Sequence, residues 1–249
     1  MRVTFATEPT PGRVNEDYVV AGPHWAVLLD GATAPPDVDS GCIHDVAWLA
    51  HRLGAEIARS LALDPDESLA DLLADAIGAT MAAHADTCDL TNPDSPSSTV
   101  AMIRQRDSEL DYLALSDSSI LIDFGHEVLA VTDDRTAHLP DYSVEGVGRV
   151  RNTPEGFWVA STKPEAAHHA VTGTAPIASV RRAALLSDGA SRYVDRYNLG
   201  TWNDLLNVLD RQGPAELIRQ VRTAETAEGT RHRGKLHDDA TAALVVFGS

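Results

Sequence analysis

The sequence predicts an α+β protein in which helices cover antiparallel β-sheets. Short strand-like runs open the chain, two long amphipathic helix patterns follow, and further strand patterns then come in direct succession. Because parallel strands need long crossover connections, strands this contiguous favour antiparallel pairing over repeated βαβ units. The chain has 249 residues, 43% of them hydrophobic, so it can build one large core, and we expect a single domain over residues 1–249.

The first half of the chain has the clearest patterns. Runs of β-type residues between Pro- and Gly-containing turns predict strands at residues 3–6, 17–21 and 25–29. Apolar residues recur at helical spacing over residues 40–62 and 69–85, which predicts two helices. A turn-rich segment then leads into a predicted β-meander with strands at residues 99–104, 110–115, 119–123 and 128–132.

The second half is more irregular. Residues 133–176 contain four prolines and little periodicity, and we interpret them as a long surface excursion with a strand pattern at 156–160. A short buried strand at 183–186 follows, then helices at about 202–209 and 214–227, and a closing strand at 240–247.

The charge of the chain excludes some classes of partner. The formal net charge is −17, so most of the surface would repel a phosphate backbone. No segment approaches the roughly 18 uninterrupted apolar residues of a membrane helix, and the first residues lack the pattern of a signal peptide. We therefore expect a cytoplasmic protein with no nucleic-acid and no membrane partner.

The two cysteines, Cys42 and Cys88, fall in segments with helical patterns and lack CxxC or Cys/His metal spacing. We therefore expect neither a zinc site nor a disulfide, but buried thiols in a reducing compartment.

Four acidic islands are the most informative feature of the chain. Each places a carboxylate at the end of a strand-like apolar run, and they lie at residues 15–17, 30–31, 188–189 and 238–239. Magnesium and manganese prefer carboxylate, carbonyl and water oxygens, and a two-metal centre needs a bridging carboxylate with others around it. A single Asp-Gly pair after an apolar run is more often a simple turn. The four acidic islands together, however, predict a divalent metal centre.

In this order, the islands resemble the motifs of the metal-dependent serine/threonine protein phosphatases, the type 2C family, in its compact bacterial form. The similarity extends over nearly the whole chain and includes residues 15–17 (Asn-Glu-Asp), 26–31 (Ala-Val-Leu-Leu-Asp-Gly), 98–101 (Ser-Thr-Val-Ala), 113–118 (Leu-Ala-Leu-Ser-Asp-Ser), 185–189 (Leu-Leu-Ser-Asp-Gly) and 238–241 (Asp-Asp-Ala-Thr). The resemblance implies a four-layer α-β-β-α sandwich, with two antiparallel sheets packed face to face and helices outside each.

The resemblance also implies the cofactors and their ligands. Two Mn²⁺ or Mg²⁺ ions are expected, and the presence of a weaker third ion stays open. Asp30 would bridge two ions, Asp17 and the Gly31 carbonyl would hold one of them, and Asp188 with Asp238 would hold the other. Glu16 is the alternative to Asp17, and Asp117 would serve the third ion.

The implied activity is hydrolysis of phosphoserine or phosphothreonine on cytoplasmic proteins, opposing a serine/threonine kinase. A water that bridges two cations loses a proton near neutral pH and can attack phosphorus in line. The catalytic set is then Asp30 and Asp188, with Arg13 gripping the phosphate oxygens through its guanidinium group.

Several positions depart from the family pattern. Ala32 stands where some members have a His after the first Asp-Gly, Arg192 stands where a third-metal Asp is frequent, and the segment 30–36 replaces a Gly-rich continuation. Two alternatives therefore stay open: a pseudophosphatase that binds a phosphorylated partner, and a metal-dependent hydrolase of a small phosphoester. Trp158 and Lys163 in the excursion are candidate substrate contacts, and the basic segment 231–235 is either an exposed loop or a phosphate-attracting lip beside the metals.

Overall fold

Two five-stranded antiparallel sheets lie at the centre of the computed structural model, which describes residues 1–32, 38–64, 66–228 and 235–248. The first sheet has the order β1-β10-β9-β6-β7, with strands Arg2–Glu8, Ala240–Val246, Arg182–Leu186, Ser119–Asp123 and Val128–Val131. The second has the order β2-β3-β4-β5-β8, with strands Tyr18–Ala21, Trp25–Ala32, Ser97–Arg106, Glu109–Leu115 and Val171–Pro176.

The two sheets pack face to face because alternate residues of each strand are apolar on the inner side. In β3, Ala26 and Leu28 point into the core between the sheets, where they meet residues such as Ile122 and Leu185 of the opposite sheet. Val27 and Leu29 belong instead to the core on the outer face. A strand buried on both faces reads as a continuous apolar run, as β3 does.

Helices cover both outer faces. On the second sheet lie α1 and α2, spanning Val46–Leu63 and Leu69–His84. The short helix α3 spans Val144–Val150. On the first sheet lie α4, α5 and α6, spanning Asp188–Asp195, Trp202–Gln212 and Pro214–Glu228. The four-layer α-β-β-α prediction is confirmed.

Three elements were not predicted from the sequence, namely β8, α3 and α4. Strand β8 pairs along β5 at the edge of the second sheet, although Gly173 and Pro176 weaken its strand pattern. Helix α4 has only eight residues and begins inside the Asp-Gly motif, so it has too few turns to show periodicity. Residues 156–160 form isolated bridges rather than a strand, so that part of the prediction is wrong.

The prediction of buried, unpaired thiols is also wrong. Helix α1 begins at Val46, where the Asp45 side chain caps it, so Cys42 lies in the preceding segment, and Cys88 lies beyond the end of α2. The antiparallel hairpin of α1 and α2 returns the chain on itself and joins the two half-buried cysteines in a disulfide across 46 positions. Because the two cysteines are far apart in the sequence, their local spacing does not indicate that they meet.

No helix in the described ranges is both long enough and apolar enough to cross a membrane.

Candidate metal centre

Strand ends from both sheets bring the predicted carboxylates together. Asp30 lies near the end of β3, Asp17 directly precedes β2, and Asp188 follows β9 as the first residue of α4. The backbone N–H of Asp188 donates to Oδ2 of Asp30 at 3.3 Å, which joins the two sheets at this edge. Behind Asp30, the Ser98 hydroxyl donates to the Asp30 carbonyl at 3.0 Å and holds the strand end in place.

The proximity of these carboxylates is visible in their electrostatics. Burial raises the pKa of Asp30 well above its usual value, and the charges of Asp17 and Asp188 raise it further. The pKa of Asp17 rises to about 7, mainly through burial. The pKa of Asp188 also rises to about 7 through burial and then through the nearby charge of Asp238. Carboxylates this close to one another stay ionised together only when a cation lies between them.

These residues fit the Mn²⁺ or Mg²⁺ ions that the family resemblance implies. Asp17 is only 4% exposed, and neither of its carboxylate oxygens has a hydrogen-bond partner within the described parts of the chain. A buried carboxylate without a partner is costly, because it has lost water and gained nothing in exchange. The donor set consists of oxygens, which hard divalent cations prefer.

Gly31 is needed at its position for steric reasons. A Cβ there would lie 2.8 Å from the Glu16 carbonyl oxygen and would overlap the Val46 side chain. Glu16 itself has its pKa raised to about 7, first by burial and then by the charge of Asp239. The segment carrying Glu16 and Asp17 therefore packs directly on the Asp-Gly end of β3.

The adjacent residues Asp238 and Asp239 have different surroundings. Asp239 is 8% exposed and accepts two backbone hydrogen bonds of 2.6 Å, from Thr10 N–H and Glu16 N–H. Asp238 faces cations instead, with Arg192 Nη2 at 2.9 Å and Lys235 Nζ at 3.3 Å. Asp239 thus anchors the N-terminal loop, whereas the charge of Asp238 raises the pKa of Asp188 in the cluster.

A buried ion-pair network beside Asp238 was missed from the sequence. Glu225 of α6 is fully buried and accepts from Arg192 at 3.0 Å and from Arg222 at 2.9 Å. Its Oε2 also lies 2.6 Å from His237 Nδ1. Glu225 follows Leu217 and Val221 at four-residue spacing, so a charge on the apolar face of α6 was the available signal. The Arg192 guanidinium group therefore forms ion pairs with both Asp238 and Glu225.

Asp117 lies at the edge of the cluster. Burial raises its pKa, while hydroxyl donors, including Thr136 at 3.1 Å, lower it. It lines a cavity of about 850 Å³ together with Asp188, Thr99 and mostly apolar residues of the excursion, such as Tyr142.

A second cavity of about 530 Å³ borders the other side of the centre, where Glu16 and Asp238 meet Arg13 and Lys235. Arg13 is exposed in a turn, so its side chain is available to a ligand in that cavity.

Of the two substrate contacts expected from the excursion, the one from Trp158 is corrected by the structure. Trp158 is 4% exposed and stacks on His169 at 3.8 Å, which makes it a core residue. Lys163 donates to the Asn152 carbonyl at 3.1 Å. The sequence pattern did not distinguish a buried indole from an exposed one. Most of the unusual segment 30–36 and all but Lys235 of the basic segment 231–235 lie outside the described residues.

Comparisons with solved structures agree with the fold of the chain. A search of curated proteins returned no match. Among solved structures, the serine/threonine phosphatase PstP/Ppp of Mycobacterium tuberculosis is 18% identical with a TM-score of 0.64, covering 100% of this chain and 99% of that one. Stp1 of Staphylococcus aureus is 13% identical with a TM-score of 0.63, covering 99% and 95%.

A further similar structure contains the metals themselves. The catalytic domain of PstP in complex with two manganese ions is 19% identical with a TM-score of 0.58, covering 98% of this chain and 97% of that one. At these identities the likeness shows the fold. The family model for protein phosphatase 2C matches residues 10–224 of this chain. The chain therefore belongs to the protein phosphatase 2C family, the metal-dependent serine/threonine protein phosphatases that use Mn²⁺ or Mg²⁺.

Proposed function

We propose that this protein hydrolyses phosphoserine and phosphothreonine on a cytoplasmic protein that a serine/threonine kinase modifies. The observation that carries the proposal is the convergence of Asp17, Asp30 and Asp188, whose raised pKa values, together with the two unpartnered oxygens of Asp17, call for bound cations. Asp30 would bridge two ions, with Asp17 and the Gly31 carbonyl on one side. Asp188 and Asp238 would complete the other side.

When bound, two such ions supply an activated water and neutralise charge on the phosphoryl oxygens. The chain itself orients the ligands and the substrate. The Asp188 N–H holds one oxygen of Asp30, and Asp239 holds the backbone beside Asp17 through the Glu16 N–H. Arg13, exposed at the polar cavity, would bind phosphate oxygens with two parallel hydrogen bonds.

Asp117 would hold the weaker third ion. It lines the larger cavity next to Asp188, and hydroxyl groups rather than cations contact it. Arg192 adds no carboxylate there, since its guanidinium group binds Asp238 and Glu225. A third ion would therefore have fewer protein ligands than the other two and a lower affinity.

A second candidate function is recognition of a phosphorylated partner without turnover. One observation favours it: Asp238, a proposed ligand, is bound by Arg192 and Lys235, which would compete with a divalent ion for its oxygens.

Hydrolysis assays separate the two functions. The protein should be tested on p-nitrophenyl phosphate and on a phosphothreonine peptide with Mn²⁺, with Mg²⁺ and with EDTA. We expect Mn²⁺-dependent turnover that falls by at least about 100-fold in Asp30→Asn and Asp188→Asn, because each loses a charged ligand. The exposed Asp86→Asn is the matched control and should keep full activity. Folded protein without turnover on either substrate would favour the binding function.

A further inference from the structure

A second group of metal-binding side chains lies outside the carboxylate centre. Cys42 and His44 precede α1, His84 is the last residue of α2, and Cys88 follows four residues later. The ligand atoms of these four side chains all lie within 4.8 Å of one another. Two cysteines and two histidines are a donor set of structural zinc sites.

The distances between sulfur and nitrogen fit a single tetrahedral ion. Cys42 Sγ lies 3.7 Å from His44 Nδ1 and 3.4 Å from His84 Nδ1, and Cys88 Sγ lies 3.4 Å from His44 Nδ1. Zinc–sulfur bonds of about 2.3 Å and zinc–nitrogen bonds of about 2.0 Å at tetrahedral angles place S and N about 3.5 Å apart. The two histidine rings therefore already have the separation from sulfur that such a site requires.

The surrounding structure holds the four residues in place. His84 is 3% exposed, and its ring packs near the Trp48 ring with centroids 5.2 Å apart. The Trp48 ring stacks on His44 with centroids 3.9 Å apart. The two segments are also joined through their backbones, where Asp89 N–H donates to the Gly41 carbonyl at 2.8 Å.

We propose that the reduced protein binds one Zn²⁺ through Cys42, His44, His84 and Cys88, and that the disulfide is the oxidised alternative of the same site. Opening the S–S bond takes two electrons and two protons from a dithiol reductant, which leaves as a disulfide. The two thiols then release their protons as their thiolates bind Zn²⁺, and the metal keeps its oxidation state.

This site is chemically separate from the phosphatase centre. Thiolate and imidazole ligands select zinc, whereas the carboxylates and carbonyl around Asp30 suit Mn²⁺ and Mg²⁺. The proposed zinc site connects the start of α1 to the end of α2, and Val46 in the first turn of α1 packs on Gly31. It would therefore stabilise the helical layer that supports one side of the centre.

Metal content and cobalt spectra test the proposal. The full chain is reduced with a phosphine, which takes oxygen from water and becomes the phosphine oxide, and is then given one equivalent of Zn²⁺ and desalted. We expect about one bound zinc per chain by mass spectrometry. Cobalt in place of zinc should give intense visible bands and a near-ultraviolet thiolate-to-cobalt charge-transfer band, which carboxylate ligands do not produce.

Variants assign the ligands. Cys42→Ser, His44→Ala and His84→Ala should each weaken zinc binding beyond the roughly 10- to 100-fold effect of an outer-shell change, and Cys42→Ser should also weaken the charge-transfer band because it removes a cobalt–sulfur bond. His126→Ala, at a side chain that is 77% exposed, is the matched control and should bind zinc normally. Asp188→Asn should also keep the zinc.

Two results would overturn the proposal. Reduced wild-type protein that binds no zinc and shows no thiolate-to-cobalt band would leave the cysteines as a simple disulfide pair, whatever the variants do. Zinc that persists in His44→Ala and Cys42→Ser, with their folding verified by circular dichroism, would lie at another site.

Discussion

Asp238 and Asp239 are neighbours in sequence, but we expect substitution of Asp239 to affect mainly stability and substitution of Asp238 to affect mainly metal binding. Asp239→Asn leaves one acceptor oxygen for two backbone N–H groups at a site that is 8% exposed. We expect a loss of about 1–3 kcal/mol in the free energy of unfolding, measured by urea denaturation.

Asp238→Asn is the matched comparison, because this side chain is 20% exposed and contacts two long cationic side chains. It should cost less stability than Asp239→Asn and should instead weaken Mn²⁺ binding. Equal losses of stability in the two variants would contradict the separate roles.

Gly31 gives a second prediction for a single residue. An alanine there would have its Cβ 2.8 Å from the Glu16 carbonyl oxygen, so the loop or α1 must shift. We expect Gly31→Ala to cost about 1–3 kcal/mol in unfolding free energy and to reduce metal affinity.

The control for this substitution is Gly78→Ala in α2, where nothing lies within 4 Å of the added Cβ. It should stabilise the protein by about 0.5–1 kcal/mol, because alanine is the better helix former. If Gly31→Ala were equally stabilising, the close packing of β3 against Glu16 would be wrong.

At this scale, the sequence showed which carboxylates meet but not what else contacts them. Asp17, Asp30 and Asp188 were predictable because each lies at the end of a strand-like run and because their order resembles the family motifs. The pairing of Arg192 with Asp238 and Glu225 depends on how α4 and α6 pack. The sequence around these residues does not indicate that packing.

At the scale of elements, Glu225 connects α6 to α4 and to the segment that precedes β10. Its fully buried carboxylate contacts Arg192, Arg222 and His237. Glu225→Gln removes the carboxylate that pairs with Arg222 and one of the two that pair with Arg192, and we expect a loss of about 3–5 kcal/mol in thermal or urea unfolding.

Glu216→Gln on the same helix is the matched control, because its pair with Arg219 is at the surface. That change should leave the free energy of unfolding nearly unchanged. Similar small losses for both variants would show that the Glu225 network does not hold α6 in place.

The elements themselves were predictable where their pattern is long. Helices α1 and α2 and the strands of the meander have enough residues for a period of 3.6 or 2 to show. Strand β8 and helix α4 are short and begin at glycine- or proline-containing segments, so their formation depends on tertiary partners. The meeting of Cys42 with Cys88 likewise follows from the α1–α2 hairpin as a whole.

For the whole molecule, the carboxylate centre predicts how stability depends on pH without metal. The folded-state pKa values of Glu16, Asp17 and Asp188 are raised to about 7, so between the usual carboxylate range and about 7 the folded state binds more protons than the unfolded state. Stability must then fall as pH rises through that window.

With EDTA present, we expect the melting temperature to be higher near about pH 5 than near about pH 7.5, and the stabilisation by added Mn²⁺ to grow with pH. The fall should be smaller in Asp17→Asn, which separates the centre from the other titrating groups. A melting temperature that rises with pH to the same extent in both proteins would contradict the electrostatics described for the cluster.

The central claim is that the converging carboxylates form a two-metal centre, and counting bound Mn²⁺ tests it most directly. Protein freed of metal by EDTA and then dialysed should be titrated with MnCl₂ in a calorimeter, beside Asp30→Asn and the exposed control Asp86→Asn. We expect two equivalents to bind to the wild type and to Asp86→Asn, and binding at least about tenfold weaker in Asp30→Asn, which loses the bridging charge. Wild-type protein that binds no Mn²⁺, or Asp30→Asn that binds it as tightly as the wild type, would contradict the account.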